Sequence, residues 1–395
     1  MQANYQDTLR FLVADLQSRA VEVDRAGRYP TESIGRAHQA GVLESVAPRE
    51  FGGCDLGPRG DMLGYFELLD GLSIGCSSTA QIIGVHNAAM ATVKAIGSYR
   101  QLEFFAGEAA RSGAMFCYLG SEPGQRLQHD GTRVRYDSEA RRVAGGWIVN
   151  ATKNFATGSL GARYIMALCM VEGAEDMSGL LLPVIPVGDP AVVIRDTWDN
   201  MGQRATTSGS CEIRECFVPD DRVIGGPGDF LRAKVLGSLF QLSFAAQFNG
   251  IAQAAMNFVI DYLHHHATAP RGLERAVDEP HVHGLIGEMS VKIEAGRALV
   301  RRAASMLGAV ERDELDAVSA TTAVYQAKCH ATQSAVQIGS DLFRLCGARV
   351  TATKHDADLY WRNARTLTLH DNYDRQIGTV GRAVLGIANP IISTR

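Results

Sequence analysis

Apolar residues recur at helical spacing over the first hundred residues of the chain. The earliest such face carries Phe11, Leu12, Leu16, Ala20 and Val23. A second segment, from Gly75 to Met90, is dense in small and apolar residues, which is typical of a buried helix. These patterns predict an N-terminal α-helical domain over residues 1–112.

The periodicity changes near Ala114. From there to about residue 225, short apolar runs alternate with turns, for example at 115–119 and 164–171. In the run 211–215, apolar and charged residues alternate, as on a strand with one buried face. The sequence therefore predicts a middle β domain over residues 113–226.

Long apolar stripes return after residue 229 and persist. Two of them each fit one helical face: Ile286, Met289, Ile293, Val300, Ala303 and Leu307, then Val324, Ala327, Ala331, Ala335, Ile338, Leu342 and Leu345. Stripes of this length are typical of a helical bundle. We therefore predict a C-terminal helical bundle domain over residues 227–395 and an α+β fold class for the whole chain.

Composition narrows the class of protein. The 395 residues are 46% hydrophobic and 21% charged, with a net charge of -4, so neither nucleic acid nor an anionic membrane is an expected partner. The sequence shows no apolar run of about 18 residues and no signal peptide pattern. The expected location is therefore cytoplasmic.

Metal and nicotinamide sites are not expected. Eight cysteines occur without a Cys-x-x-Cys pair, which predicts reduced thiols and neither a disulfide framework nor a zinc site. The run His264-His265-His266 does not predict a metal site, because consecutive helical residues point in different directions. No Gly-x-Gly-x-x-Gly motif opens a strand-helix unit, so no nicotinamide site is evident.

Three segments resemble motifs of the acyl-CoA dehydrogenase family and occur in the same order. Tyr118–Pro123 resembles the family's Thr-Glu-Pro segment, and Gly146–Lys153 resembles its Gly-x-x-x-Asn-Gly-x-Lys strand. Met201–Arg204 resembles the segment that closes its sheet domain. The resemblance covers nearly the whole chain. It implies an N-terminal helical domain, a central small β-barrel or sheet domain and a C-terminal four-helix bundle.

The C-terminal segment departs from that family at its catalytic position. In the family, a catalytic carboxylate opens a Glu-Gly-Thr motif twelve residues before an Arg-x-Leu-Leu-Gly ending. In the same register, His370 takes the place of the carboxylate, twelve residues before Arg382. A dehydrogenase of this family needs a carboxylate whose pKa is raised by a dry pocket, and imidazole suits that task less well.

A finer resemblance is to the flavin-dependent monooxygenase branch of this fold, the dibenzothiophene monooxygenase-like two-component group D hydroxylases. Lys153–Gly158 resembles the branch motif Lys-x-Phe-x-Ser-Gly. Trp198–Arg204, with Ser208-Gly209, resembles Trp-Asp-x-x-Gly-Gln-Arg with a trailing Ser-Gly. Arg365–Asp371 resembles Arg-Thr-x-Thr-x-His-Asp. The chain departs from the branch at Thr157, where Ser is usual, and at Asn372, where the branch often has Pro after the His-Asp pair.

This resemblance implies a chemistry. Reduced flavin, FMNH2 or FADH2, would react with O2 to give a C4a-hydroperoxyflavin that hydroxylates or N- or S-oxygenates a small organic substrate. A separate flavin reductase would supply the reduced flavin. His370 would stabilise the hydroperoxide or deprotonate the substrate, because imidazole both donates and accepts near neutral pH. The alternative is a structural histidine that caps a helix or meets a backbone carbonyl. A homotetramer or dimer is also implied.

The resemblance further implies which residues contact the flavin. Those expected to line its ring are Tyr118, Leu119, Ser121, Thr157 and Gly158, since backbone N–H groups and short hydroxyls bind the polar ring edge. Thr157 and His86 join His370 as catalytic candidates, although His86 equally fits a hydrogen-bonded core histidine. Trp198 is expected to cover a ring face or to belong to the core. Arg271 is expected to contact the flavin phosphate or to lie on an exposed loop.

Two other functions stay open at this point. One is an acyl-CoA or acyl-carrier dehydrogenase with a displaced catalytic base, which would hold oxidised flavin that an acyl thioester reduces. The other is a catalytically silent protein of the same fold that acts as a binding partner and binds no flavin. The sequence does not identify the substrate, because it does not place the side chains of the pocket.

Overall fold

A computed structural model describes residues 2–124 and 135–387 of the chain. The helices of its N-terminal part are α1 (Gln2–Ala26), α2 (Thr31–Gln39), α3 (Met62–Gly75), α4 (Ser77–Ile96) and α5 (Tyr99–Ser112). Helix α4 is buried over nearly all of its length, as the run of small apolar residues predicts. That run nevertheless crosses a helix break, because Cys76 is extended between α3 and α4.

Helix α1 buries a narrower face than its sequence predicts. Leu12 and Leu16 are buried, but Phe11 is 78% exposed. Consecutive positions on a helix point in directions about 100° apart, so Phe11 and Leu12 do not share one face. The assignment of Phe11 to the buried face is therefore wrong.

The strands of the middle part form two sheets. In chain order they are β1 (Phe116–Leu119), β2 (Glu139–Val143), β3 (Gly146–Ala156), β4 (Tyr164–Ala167), β5 (Cys169–Val171), β6 (Leu180–Leu181), β7 (Val184–Pro186), β8 (Val192–Arg195) and β9 (Gly209–Pro219). One sheet has the order β1-β4-β7 and the other the order β6-β5-β2-β3-β9-β8. Cys117, Ile165 and Ile185 of the first sheet share a core with Val149 and Ile213 of the second.

Helices return in the C-terminal part and form the predicted bundle. They are α6 (Asp229–Arg232), α7 (Leu236–His265), α8 (Pro280–Glu311), α9 (Ala317–Cys346), α10 (Asp358–Leu367) and α11 (Tyr373–Val384). The long helices α7, α8 and α9 pack on one another, and the short α10 and α11 pack on α9. Ile293, Val300 and Leu307 of the first predicted stripe are buried. Helices α3 and α4 also pack on α7, so the N-terminal helices and the bundle share one core.

Neither a membrane-spanning helix nor a metal-binding cluster occurs among the described residues. Within 2–124 and 135–387, no helix has the length and apolar character needed to span a membrane. The same ranges contain no group of three His, Cys, Asp or Glu side chains that could hold a metal ion.

Candidate functional site

His370 lies at the end of a short 3-10 turn, Thr368–His370, that continues α10. Its ring stacks on Phe244 of α7, with ring centroids 3.8 Å apart and an interplanar angle of 24°. The ring of Phe240, one turn earlier on α7, lies edge-on to His370 at 5.4 Å. The stack orients the imidazole, while His370 as a residue stays exposed. A ligand can therefore reach an imidazole whose orientation is fixed.

Helix capping is not the role of this histidine at α11. The N-cap of α11 is Asn372, whose side-chain oxygen accepts a hydrogen bond from the Arg375 backbone N–H at 3.0 Å. An Asn cap stabilises a helix start by satisfying an otherwise unpaired backbone donor. Asn372, where the monooxygenase branch often has Pro, thus fixes the turn after His370 by a cap.

Tyr118 meets the same aromatic surface from the sheet side. Its ring lies edge-on to Phe240 with centroids 6.4 Å apart. Its hydroxyl lies 3.4 Å from the Thr92 hydroxyl of α4. Burial raises the pKa of Tyr118 well above its usual value, so the phenol stays neutral. Tyr118 and His370 therefore come from different parts of the chain to one pair of phenylalanines.

A buried ion pair fixes the segment that follows β1. Lys153 Nζ lies 2.6 Å from Glu122 Oε1 and donates to the Leu168 carbonyl at 2.6 Å. The side chains of the pair are 0% and 3% exposed, respectively. Glu122 also accepts from the backbone N–H groups of Asp137 and Ser138. Burial alone would raise the pKa of Glu122, but the Lys153 ammonium and these hydrogen bonds hold it below its usual value.

Backbone hydrogen bonds also join the segments that flank the two members of that pair. The Asn154 N–H donates to the Ser121 carbonyl at 2.9 Å, which joins the segment after β1 to β3. Leu119 is fully buried, and its carbonyl accepts from the Leu168 N–H at 3.0 Å. Ser121 therefore lies directly beside β3, close to the residues that end that strand.

Three hydroxyls form a chain beside the end of β3. Thr157 Oγ1 lies 2.8 Å from Ser208 Oγ, which lies 2.8 Å from Thr206 Oγ1. Thr206 donates to the Gln203 carbonyl at 2.8 Å, and the indole N–H of Trp198 donates to the same carbonyl at 2.9 Å. The structure thus links Thr157, through Ser208 and Thr206, to the carbonyl that also accepts from Trp198.

The end of β3 is irregular, and this irregularity turns an aromatic side chain outward. The register of β3 against β9 shifts just before residue 156, and Phe155 has φ +53. Phe155 is 60% exposed and lies edge-on to Trp198 at 6.2 Å. Gly158 has φ +74, and a Cβ there would lie 3.0 Å from Ile82 of α4. Glycine therefore allows this turn to approach α4 closely.

The segment 201–204 joins the β domain to α10 and α1. A Cβ on Gly202 would lie 2.1 Å from the Arg362 carbonyl oxygen. The Gln203 N–H donates to Asn363 Oδ1 at 2.6 Å. Arg362 forms a 2.7 Å ion pair with Asp24 of α1. These contacts hold α10, which leads directly into the turn of the candidate catalytic histidine.

The α10 and α1 members of that junction were not predicted from the sequence. Asn363 and its partner Gln203 are 160 positions apart, and Asp24 and Arg362 are 338 apart. No local periodicity or turn pattern marks such pairs. The resemblance singled out the Gly-Gln-Arg motif but gave no partner for it.

His86 is a core residue with both ring nitrogens bonded. Nε2 lies 2.7 Å from the Leu43 carbonyl, and Nδ1 accepts from the Phe116 backbone N–H at 3.0 Å. The side chain is fully buried, and burial lowers its pKa to about 4. This geometry favours the hydrogen-bonded core alternative over a catalytic role.

Arg271 lies beyond the C-terminal end of α7, away from the helix turn that carries Phe244. It is exposed on the loop after α7, whereas Phe244 lies near the start of that helix. The 21 positions between Phe244 and His265 span roughly 30 Å at the rise of an α-helix. A groove of about 490 Å³ at that end of α7 is lined by further basic side chains, Arg349 and Lys354, beside His355.

Comparison with known proteins decides the family. The N-terminal, middle and C-terminal domain models of acyl-CoA dehydrogenase match residues 2–112, 117–216 and 242–375, which are most of the chain. The chain belongs to the acyl-CoA dehydrogenase family.

Within this family, the chain is similar to monooxygenases. Dibenzothiophene monooxygenase from Rhodococcus erythropolis is 29% identical, over 97% of this chain and 93% of the relative. A probable FMNH2-dependent monooxygenase, SfnC from Pseudomonas putida, is 28% identical over 96% and 94%. The fold matches TdsC from a Paenibacillus species, solved with FMN and indole, at a TM-score of 0.89, 23% identity and 99% coverage of both chains.

The acyl-CoA dehydrogenase fold is thereby confirmed, and its residues at this site fit a flavin ring. Tyr118, Trp198 and the Phe240 side chain supply aromatic surface, and the hydroxyl chain supplies a polar edge. Buried oxygens of Ser159 and Thr207 have no hydrogen-bond partner among residues 2–124 and 135–387. A planar apolar ring with polar atoms along one edge complements such a site.

Proposed function

We propose that this chain is the oxygenase of a two-component flavin-dependent monooxygenase, which uses reduced flavin and O2 to oxygenate a small organic substrate. The observation that carries the proposal is the position of His370. It stacks on Phe244 and lies edge-on to Phe240, which also contacts Tyr118, in the register where the acyl-CoA dehydrogenase family has its catalytic carboxylate. The similar dibenzothiophene monooxygenase and SfnC support the same function.

The flavin is FMN or FAD, bound as a reduced cosubstrate, and in that form it supplies the electrons that activate O2. Tyr118, Leu119 and Ser121 hold it from the end of β1. Thr157 and Gly158 hold it from the end of β3, with Trp198 at a ring face. The buried Glu122–Lys153 pair and the junction at Gln203 keep these segments in fixed positions.

His370 acts as the proton-managing group. The stack on Phe244 restricts the imidazole to one plane and lowers the entropy cost of a productive orientation. Imidazole has a donor and an acceptor at neutral pH, so a ring nitrogen of His370 can hold a proton near the reacting oxygen or take one from the substrate. Thr157 assists from the flavin side. His86 takes no part, because both of its nitrogens are bonded in the core.

A separate flavin reductase supplies the cosubstrate, since no nicotinamide motif is evident in the sequence. The protein works as a homotetramer or dimer. Arg271 supports this, because a flavin mononucleotide does not span the roughly 30 Å of α7 that separates Phe244 from the end of the helix. A phosphate contact by Arg271 would therefore serve the site of another protomer. The cytoplasmic location stays a prediction.

An acyl-CoA dehydrogenase with a displaced base is the second candidate, favoured by the family fold and by similarity to a short-chain specific acyl-CoA dehydrogenase from Rattus norvegicus, 23% identical over 91% of this chain. The site argues against it. Glu122, a buried carboxylate that follows β1 closely in sequence, has a lowered pKa, whereas a base for α-proton removal needs a raised one.

One experiment separates the two candidates. The purified protein is loaded anaerobically with FMNH2 and mixed with O2, with and without a panel of aromatic, thioether and amine compounds. We expect an oxygenated product from at least one class, with peroxide release falling as product rises. In a parallel sample, oxidised flavin on the protein is mixed with short- and medium-chain acyl-CoA thioesters. Bleaching of the flavin there, without oxygenation in the first sample, would establish the dehydrogenase instead.

A further inference from the structure

The hydroxyl chain at Thr157 has a fixed proton direction, which follows from counting donors. A carbonyl oxygen has no proton, so the 2.8 Å contact between Thr206 Oγ1 and the Gln203 carbonyl requires the Thr206 proton to lie between them. Thr206 then has no proton left for Ser208. The 2.8 Å contact between Thr206 and Ser208 therefore takes the Ser208 proton.

Counting donors in the same way also assigns the hydroxyl proton of Thr157. Ser208 has one hydroxyl proton, and it is committed to Thr206. The 2.8 Å contact between Thr157 and Ser208 must then use the Thr157 proton. The alternative acceptor for Thr157, the Phe155 carbonyl, is 3.5 Å away, beyond the usual range for a hydroxyl donor.

All three hydroxyl protons therefore point from Thr157 toward the Gln203 carbonyl. Thr157, Ser208 and Thr206 are each buried, so bulk water does not reorient them freely. The far end is anchored, because the Gln203 N–H is bound by Asn363 of α10. Thr157 Oγ1 retains lone pairs and no available proton, and so it can only accept a hydrogen bond from a ligand.

We propose that this hydroxyl chain makes the site selective for reduced over oxidised flavin, with Ser208 and Thr206 as the specificity-determining residues behind Thr157. Reduction places an N–H at N5 of the flavin ring, where the oxidised ring has a lone pair. In a flavin bound with N5 facing Thr157 Oγ1, this acceptor-only oxygen would attract the N–H of the reduced ring and repel the lone pair of the oxidised ring. The inference rests on the proposed function, because it requires flavin at this site.

Two substitutions change the direction of the hydrogen bonds among the Thr157, Ser208 and Thr206 hydroxyls. Ser208→Ala leaves the Thr157 proton without its acceptor, so the Thr157 hydroxyl can rotate and donate to a ligand. Thr206→Val keeps the shape of the side chain but removes the acceptor of the Ser208 proton. Ser208 can then donate to Thr157, so the Thr157 proton turns toward the ligand. Ser45→Ala is the matched control, because Ser45 is a buried serine whose hydroxyl has no hydrogen-bond partner among the described residues.

The measurement is the ratio of dissociation constants for oxidised FMN and FMNH2, determined anaerobically for each variant by equilibrium dialysis. One neutral hydrogen bond changes affinity by about 2- to 10-fold. We expect the wild type and Ser45→Ala to bind FMNH2 more tightly than FMN. Ser208→Ala should reduce that ratio by about 2- to 10-fold, and Thr206→Val should reduce it further. The midpoint potential of bound flavin should fall by about 30 mV for each tenfold change in the ratio.

The outcomes separate this inference from the proposed function. If the wild type binds FMNH2 but Ser208→Ala and Thr206→Val keep its ratio, the hydroxyl chain does not set the selectivity, and the monooxygenase proposal stands. If the wild type binds neither form of flavin, both fail. Thermal melting identifies a variant that does not fold, and the other variant then decides the question.

Discussion

The Glu122→Gln variant tests whether the buried ion pair holds the flavin-side segments in place. Gln has nearly the shape of Glu, but the substitution removes the negative charge 2.6 Å from the Lys153 ammonium. That ammonium belongs to a side chain that is 0% exposed. Removing one partner of a buried pair costs about 3–5 kcal/mol. We expect the free energy of unfolding to fall by that amount.

The same pair predicts a pH dependence. The folded state holds the pKa of Glu122 below its usual value, so the contribution of the carboxylate is complete above the unfolded pKa of about 4.3. It is lost as the pH falls through the lowered folded value, because the unfolded state then binds the proton more readily. The Glu122→Gln variant should lack this component of acid destabilisation.

Urea unfolding at pH 7, followed by circular dichroism, measures the effect. Glu314→Gln is the control, since Glu314 pairs with Arg312 at 2.8 Å on the surface and its loss should leave the midpoint unchanged. A double variant, Glu122→Gln with Lys153→Met, should recover part of the loss because no charge then remains buried there. A Glu122→Gln midpoint equal to that of the wild type would show that the pair does not stabilise this region.

Three further predictions concern the junction and the core. Asp24→Asn should lower stability by about 3 kcal/mol, because it removes the carboxylate from a pair with Arg362 in which the Asp24 side chain is 8% exposed; an unchanged melting temperature would contradict this. Gly202→Ala should cost about 1–3 kcal/mol in urea unfolding, since its Cβ would lie 2.1 Å from the Arg362 carbonyl oxygen. The wild type should lose stability as the pH falls from 6.5 toward 4, because burial lowers the pKa of His86 to about 4 and the unfolded state binds the proton first. His86→Gln, although less stable overall, should give a flatter profile over that range, and an equally steep profile would assign the loss to other groups.

The sequence predicts the fold because helical and strand periodicity is a local property. Ile293, Val300 and Leu307 recur on one face and are buried together in α8. Phe11 and Leu12 are adjacent apolar residues, and periodicity alone does not decide which of the two faces the core.

The site is less accessible to such reasoning. The motifs identify Thr157 and His370, but they do not predict that the His370 ring stacks on Phe244. No local sequence pattern pairs a turn after α10 with a residue of α7. The Gln203–Asn363 contact likewise joins segments 160 positions apart. For His86 the sequence leaves two roles open, because the two backbone partners that favour a core role lie 43 and 30 positions away.

The most direct test of the account is a single turnover of the FMNH2-loaded protein with ¹⁸O2 and a substrate identified by the panel, comparing the wild type with His370→Ala. The wild type should transfer one ¹⁸O atom into the product. His370→Ala should still oxidise the flavin but release the oxygen as hydrogen peroxide, with product formation lower by about 10²- to 10⁴-fold. Full, coupled ¹⁸O incorporation by His370→Ala would contradict the central claim that this histidine manages the proton of the oxygenation.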